Sequence, residues 1–396
     1  MSTADSRRLS PKVSLLLLAS ILVCFVAASA APTPLYEIYQ ARWCFSPIST
    51  TVVFAVYAVA VLASLLTFGK LSDHVGRRPV VLVAIAVQAV SLVIFIVANG
   101  VPALVVARIV QGLSAGAAIG AVGAAMLDIN RARGALANAL GPGIGTGTGA
   151  LLSALLVQFL PAPTRLVYVV LLVILLLQGV GVVLMPETVT PMKGALQSLR
   201  PEITLPRAVR GPVLAVAPVV FAVWALAGFF SALGPALVRA LMEMSIVVGG
   251  LVVFVFAGFG TIAILLLRNA AARTVMLTGI TALILGMIVT LVSVTTESIA
   301  GLFVGLALGG IGFGGGFQGS IKTVMPLAEA HERASVLSLI YIVCYVGFGL
   351  PTVIAGFLVV YGGGLRRTAN ELAVAVILFA LVALLGLRRA GRTSPA

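Results

Sequence analysis

Apolar runs of about 20 residues recur along the whole chain, each ended by a short polar island. Such a run, wound as a helix, crosses the hydrocarbon core of a bilayer and satisfies its own backbone groups there. Twelve runs are read, near residues 13–38, 49–70, 78–98, 101–126, 134–160, 164–186, 212–238, 245–267, 273–295, 297–323, 334–361 and 368–388. The longest polar connection, from Pro186 to Gly211, carries Glu187, Lys193, Arg200, Glu202, Arg207 and Arg210. It separates six runs from six. The expectation is therefore an all-α membrane protein, with twelve transmembrane helices in two pseudo-symmetric six-helix bundles. Its parts are a tail at 1–12, a bundle at 13–186, a connecting loop at 187–211, a bundle at 212–388 and a tail at 389–396.

The two halves read as distant copies. Leu113-Ser-Ala-Gly116 stands in register with Phe313-Gly-Gly-Gly316 at an offset of 200, and Arg133-Gly134 matches Arg333-Ala334 at the same offset. A parallel repeat about an axis along the membrane normal has this signature.

Composition excludes a soluble domain, because 61% of the residues are hydrophobic and only 9% are charged. The net charge of +14 does not point to nucleic acid, since the basic residues are dispersed over short loops with no basic face. They act instead as topology determinants. With the N-terminus inside, nineteen of the 25 lysines and arginines fall on the cytoplasmic side. Arg42, Arg165, Arg239, Arg366 and Arg367 fall on the outer side, and Arg108 lies within a span. Both termini are thus expected in the cytoplasm. Arg7, Arg8, the run from Val13 and Ala28-Ser-Ala-Ala31 imitate a cleavable signal peptide. With eleven further runs behind it, the first is read as an uncleaved span. Cys24, Cys44 and Cys344 give no disulfide framework or metal spacing, and His74 and His331 both lie in loops. No metal site is expected, and no nucleophile–base pair points to an enzyme.

Between the second and third runs stands Gly69-Lys-Leu-Ser-Asp-His-Val-Gly-Arg-Arg78, a compact island of both charge signs. Gly69 and Gly76 let the flanking helices stop and start at close quarters. The pattern Gly-x-Leu-x-Asp-x-x-Gly-Arg-Arg resembles the loop 2–3 signature of the major facilitator superfamily of transporters, in residues and in position. In that superfamily the loop acts as a conformational latch. Asp128, where span four ends, is expected to pair with Arg77 or Arg78. That leaves Asp73 to face the N-terminus of span eleven near Arg333–Ser335, where the helix dipole favours an anion.

Arg108 is the one ionisable residue well inside a span, about six residues or about 9 Å from its outer end. An arginine there is costly and by default faces a cavity or a partner. Arg108-Ile-Val-Gln-Gly112 is similar to the superfamily's span-four motif. Two roles stay open for it: a partner of Glu37 at the outer end of span one, or a structural group bonded to backbone carbonyls. Glu37 is expected to load and release the coupling proton, because no other carboxylate lies near the expected cavity.

Gly141-Pro-Gly-Ile-Gly-Thr-Gly-Thr-Gly149 is not a phosphate loop, since it lacks the Lys-Ser/Thr ending. Gly141 and Gly145 permit close helix contact, and Pro142 permits a bend. The stretch resembles the span-five Gly-Pro motif of facilitator-type antiporters. It departs from that motif where Gly145-Thr146 replaces paired glycines, and where Ala137 and Asp128 stand at the upstream glycine spacing. Gly347-Phe-Gly-Leu-Pro351 is read as playing a similar part in span eleven.

The candidate cavity residues are Tyr57, Arg108, Gln111, Asn138, Trp224, Phe230, Gln318 and Tyr345. They offer many apolar surfaces, few polar anchors and one fixed positive charge, which suits an amphipathic or anionic small molecule. The resemblance implies a monomeric secondary transporter in the plasma (inner) membrane. It would export such a compound by alternating access in exchange for protons, with the proton gradient as energy source and no cofactor. The same fold admits proton-coupled uptake of an organic anion or nutrient, and the composition alone admits a non-transporting membrane scaffold or sensor.

Overall fold

The structure is a computed structural model that describes residues 8–201, 205–241, 245–329 and 332–390. Residues 1–7 and 391–396 of the tails, with Glu202 and His331, lie outside the described residues. Sixteen α-helices and no strand are present among the described residues. They are α1 Pro11–Ala30, α2 Tyr36–Trp43, α3 Pro47–Phe68, α4 Leu71–Val75, α5 Arg77–Val97, α6 Val101–Ile129, α7 Arg131–Phe159 and α8 Leu166–Leu184. They continue with α9 Ala195–Ser198, α10 Arg207–Ala232, α11 Gly234–Leu241, α12 Ile246–Leu266, α13 Ala272–Thr295, α14 Ile299–Val324, α15 Arg333–Tyr361 and α16 Gly364–Ala390.

Twelve segments among the described residues are long and apolar enough to cross a membrane, one for each run read from the sequence. Two details differ from that reading. The first span is broken, because Pro32 and Pro34 lack the amide protons a helix needs and divert the chain through a turn of 3-10 helix at Thr33–Leu35. Span seven ends at Ala232, and residues 234–241 form the separate short helix α11.

The chain groups into two compact units. One comprises Met1–Leu35 and Val59–Pro201; the other comprises Tyr36–Ala58 and Glu202–Ala396. The hairpin of α2 and the first half of α3 thus belongs with the second unit.

In the first unit, α7 packs on α1 through Gly141, Gly145 and Gly149. A Cβ at Gly141 would stand 2.7 Å from a Leu22 methyl, and one at Gly145 would stand 2.7 Å from the Val23 carbonyl oxygen. The helix runs unbroken through Pro142, and Asn130 caps it by accepting from the Arg133 amide at 2.9 Å. In the second unit, α13 and α14 lie backbone to backbone. A Cβ at Gly286 would stand 2.6 Å from the Gly309 amide nitrogen, and one at Gly279 would stand 2.6 Å from the Gly315 carbonyl carbon. Small residues at helical spacing allow this approach, which maximises dispersion where lipid offers no hydrophobic drive. Likewise α15 continues through Pro351.

Candidate functional site

Four groupings of polar or aromatic side chains stand out against the apolar background, two in each unit. The first is the polar island of the first unit. Gly76 has φ +111°, so the backbone favours glycine, and a Cβ there would stand 2.8 Å from a Glu187 carboxylate oxygen and push that side chain aside. Beyond it α5 begins with unsatisfied amides. Glu187 Oε1 accepts from the Arg77 amide at 2.9 Å and Oε2 from the Arg78 amide at 3.0 Å, placing an anion on the positive end of the helix. The Arg77 guanidinium is nearly buried. It pairs with Asp73, donates Nε to Asp128 Oδ2 at 3.0 Å, and donates Nη1 to Ser72 Oγ at 2.7 Å. Thr188 Oγ1 adds a bond to Asp128 Oδ2 at 3.2 Å, and the Arg78 guanidinium donates to the Val183 carbonyl.

One expectation is resolved here and one changes. Of the two partners expected for Asp128, Arg77 is the one that takes it. Asp73 is itself a partner of Arg77 instead of being passed over by the loop's own arginines, because one buried guanidinium has donors enough for two carboxylates. Glu187 was missed. Its signal was present: an acid directly after span six, beside a helix start that lacks a capping side chain.

The second grouping surrounds Arg108, which is fully buried. The break at Pro32 and Pro34 orphans the last carbonyls of α1. Arg108 Nη1 donates to the Ser29 carbonyl at 2.8 Å and to Gln111 Oε1 at 2.6 Å. Gln111 Nε2 donates to the Ala28 carbonyl at 3.1 Å, and Ser153 Oγ to the Ala31 carbonyl at 2.6 Å. The Phe95 ring lies 5.8 Å from the guanidinium and stacks on Tyr168. A cation at a helix C-terminus is favoured by the dipole as well. Of the two roles open for Arg108, the structure displays the second: it and Gln111 cap the broken first span. Gln111 is likewise fully buried.

The pairing of Glu37 with Arg108 is therefore corrected. In the second unit the Glu37 carboxylate pairs with Arg239 of α11. The same proline break is the cause, since it carries Glu37 onto the separate helix α2. The Glu37 side chain is 13% exposed, and its Oε1 is buried without a hydrogen-bond partner.

The fourth grouping is aromatic. Trp224 of α10 meets Phe313 and Phe317 of α14 at 5.7 and 5.8 Å, and Tyr345 and Phe348 of α15 at 5.5 and 5.9 Å. All five rings are half-buried. The indole Nε1 is buried without an acceptor, and Gln318 Oε1 is buried without a donor. Of the expected cavity residues the structure thus brings Trp224 and Tyr345 together. Phe230 departs: it is buried against Phe229 and Phe256 as core. Asn138 donates to the Gly123 carbonyl at 3.0 Å and Gln318 to the Ile264 carbonyl at 3.1 Å, so each also ties two helices together. Tyr57 is half-buried in α3. Phe313, Phe317 and Phe348 were missed, because single phenylalanines in an apolar helix carry no signal of which face they occupy.

The arrangement offers ion pairs and a ring-lined surface, and no clustered metal ligands are found among the described residues. Comparison with known proteins agrees with a transport scaffold. An uncharacterized transporter of Rickettsia bellii (strain RML369-C) is 40% identical over 74 residues, which is 18% of each chain. Among solved structures, an inward-facing, unoccupied bacterial homologue of the human lysosomal transporter Spinster aligns with TM-score 0.78 at 13% identity, covering 98% of this chain and 99% of that one. The nucleoside transporter NupG aligns with TM-score 0.74 at 13% identity, over 95% and 100% of the two chains. The POT family transporter PepTSo aligns with TM-score 0.76 at 12% identity, over 98% and 99%. The sequence profile of the Major Facilitator Superfamily matches residues 13–271. With twelve membrane-spanning segments, that fold and that profile, the chain belongs to the Major Facilitator Superfamily of transporters.

Proposed function

We propose that this transporter exports a small, largely uncharged amphipathic compound with a flat ring system, by alternating access in exchange for protons. The observation that carries the substrate class is the half-buried ring surface around Trp224, with an indole N–H that has no acceptor. Ring faces and edges bind flat apolar molecules, and an orphaned donor favours a ligand carrying one acceptor. The neutral class is preferred to the anionic one because Arg108 bonds the Ser29 carbonyl and Gln111.

In this reading the chain spans the plasma (inner) membrane as a monomer, with both termini cytoplasmic. The positive-inside distribution supports that orientation. Glu37 is the coupling group, now with Arg239 as its counterion. As the carboxylate it holds Arg239; as the neutral acid it releases that charge. Proton loading and a change of contacts thereby become one event.

The test is a panel of flat aromatic compounds, neutral and anionic, applied to everted membrane vesicles holding a proton gradient. Neutral ring compounds should dissipate the gradient and accumulate in the vesicles. Glu37→Gln should abolish gradient-driven accumulation while leaving downhill exchange. Full accumulation by Glu37→Gln would remove Glu37 from coupling, and preference for anions would overturn the substrate class.

A further inference from the structure

The Glu37–Arg239 pair of the second unit is the end of a longer chain of charges, the rest of which no transport role above employs. Glu297, in the connection between α13 and α14, pairs with Arg366 in the first turn of α16. The same guanidinium donates Nη2 to the carbonyl of Ala240 at 3.1 Å. Ala240 lies in the last turn of α11, whose terminal carbonyls have no intrahelical donor. One residue earlier on α11 is Arg239, and its guanidinium holds Glu37 of α2. The sequence of contacts therefore runs from Glu297 through Arg366 and the end of α11 to Arg239 and Glu37.

The short helix α11 is suited to transmit position. Leu237 and Val238 are buried and fix one face, and Pro235 packs on Gly249 of α12. Arg239 stands on the other face and is 43% exposed. Among its further contacts, the hairpin makes close ones with small residues and a ring of α15. Thr51 lies against Gly356, Ala55 and Ala58 against Gly349, and the Phe54 ring is 4.9 Å from Phe348. Within the hairpin, Gln40 Nε2 donates to Thr50 Oγ1 at 2.8 Å, so α2 and α3 move as a piece. Glycine seams of this kind hold by close packing alone and part without breaking a hydrogen bond.

We infer that the Glu37–Arg239 pair is a releasable clasp on the 36–58 hairpin, and that Arg366 is its positioning residue, holding the end of α11 so that Arg239 meets Glu37. The clasp rests on the transporter reading above but not on its substrate, direction or coupling ion. Arg366 touches neither substrate nor proton. It acts through α11.

The experiment uses the full chain in detergent, in a Cys44→Ser background, since Cys24 and Cys344 are buried. Thr51→Cys places a thiol in the seam, at a position that is fully buried. Its reaction rate with a water-soluble maleimide reports how often the hairpin parts from α15. Glu37→Gln and Arg239→Gln should each raise that rate about tenfold, the scale expected when one partner of a partly buried pair is lost. Arg366→Gln should raise it about threefold, and Arg366→Lys should restore most of the protection. The charge exchange Glu37→Arg with Arg239→Glu should return the rate close to its starting value, which a variant that merely misfolds does not do. A rate unchanged by Arg366→Gln, or single-variant effects that the charge exchange fails to reverse, would overturn the inference. Loss of transport with these labelling rates intact would instead fault the exporter reading and leave the clasp standing.

Discussion

The two units hold their helices together by different chemistry. In the first, side chains reach across to a neighbour's backbone. Ser64 donates to the Leu113 carbonyl at 2.6 Å, Ser91 to Ala107 at 2.8 Å, Ser114 to Ala84 at 2.7 Å and Ser153 to Ala31 at 2.6 Å. Arg108 and Gln111 add their capping bonds, and the loop after α3 is fastened by carboxylates around Arg77. In the second unit the α13–α14 seam is glycine on glycine, and α10 and α15 meet over rings. There the matching loop, 267–271, has no carboxylate; Lys322 binds it instead, donating to the carbonyls of Leu267, Arg268 and Ala270 at 3.2, 2.7 and 2.9 Å. The two matching loops thus differ in kind: ion pairs gathered on Arg77 in one unit, a lysine bonded to backbone carbonyls in the other. In the proposed reading, the pairs around Arg77 bias the conformational balance and the rings around Trp224 contact the substrate.

The largest effect should come from the glycine seam. Gly286→Leu drives a side chain into the Gly309 backbone, which cannot yield, and should cost about 3 kcal/mol or more, read as loss of a monodisperse peak in detergent. Gly258→Leu, where nothing lies within 4 Å, should fold normally; if both fold alike, close packing is not what joins α13 to α14.

Next comes Arg108→Met. It removes the donor from the Ser29 carbonyl and Gln111 Oε1 and should destabilise the protein by about 2 kcal/mol in thermal unfolding. A stable Arg108→Met protein that binds substrate poorly would restore Arg108 to the cavity. Smaller still, Ser91→Ala and Ser114→Ala should each cost about 0.6 kcal/mol, the usual scale of an interhelical bond in a membrane, because the unfolded reference state also finds partners.

The sequence made some of this visible and hid the rest. Charges in an apolar chain are conspicuous, so the island at 69–78, its partner Asp128 and the lone Arg108 could be found by inspection. The proline pair at 32 and 34 was equally visible, but which groups would answer the carbonyls it orphans depends on packing between α1, α6 and α7. Glu37 and Arg239 are distant in sequence and sit on short helices whose existence follows from local breaks, so no periodicity joins them. Glu187 was assigned to a connecting loop because its role depends on the start of α5 lying beside it. The rings around Trp224 come from three helices, and nothing in a uniformly hydrophobic run tells which phenylalanines share a face.

In the proposed reading, the charges around Arg77 bias the balance of states while the rings around Trp224 bind substrate. The most direct measurement is equilibrium binding and counterflow of one neutral aromatic substrate, taken from the vesicle panel, in Asp73→Asn and Trp224→Ala side by side. Asp73→Asn should bind normally and turn over about fivefold more slowly, the result of about 1 kcal/mol on the balance of states. Trp224→Ala should weaken binding by about 2 kcal/mol, roughly thirtyfold, because it removes the ring and its donor. Equal losses of binding in both variants, or weakened binding in Asp73→Asn alone, would contradict the account.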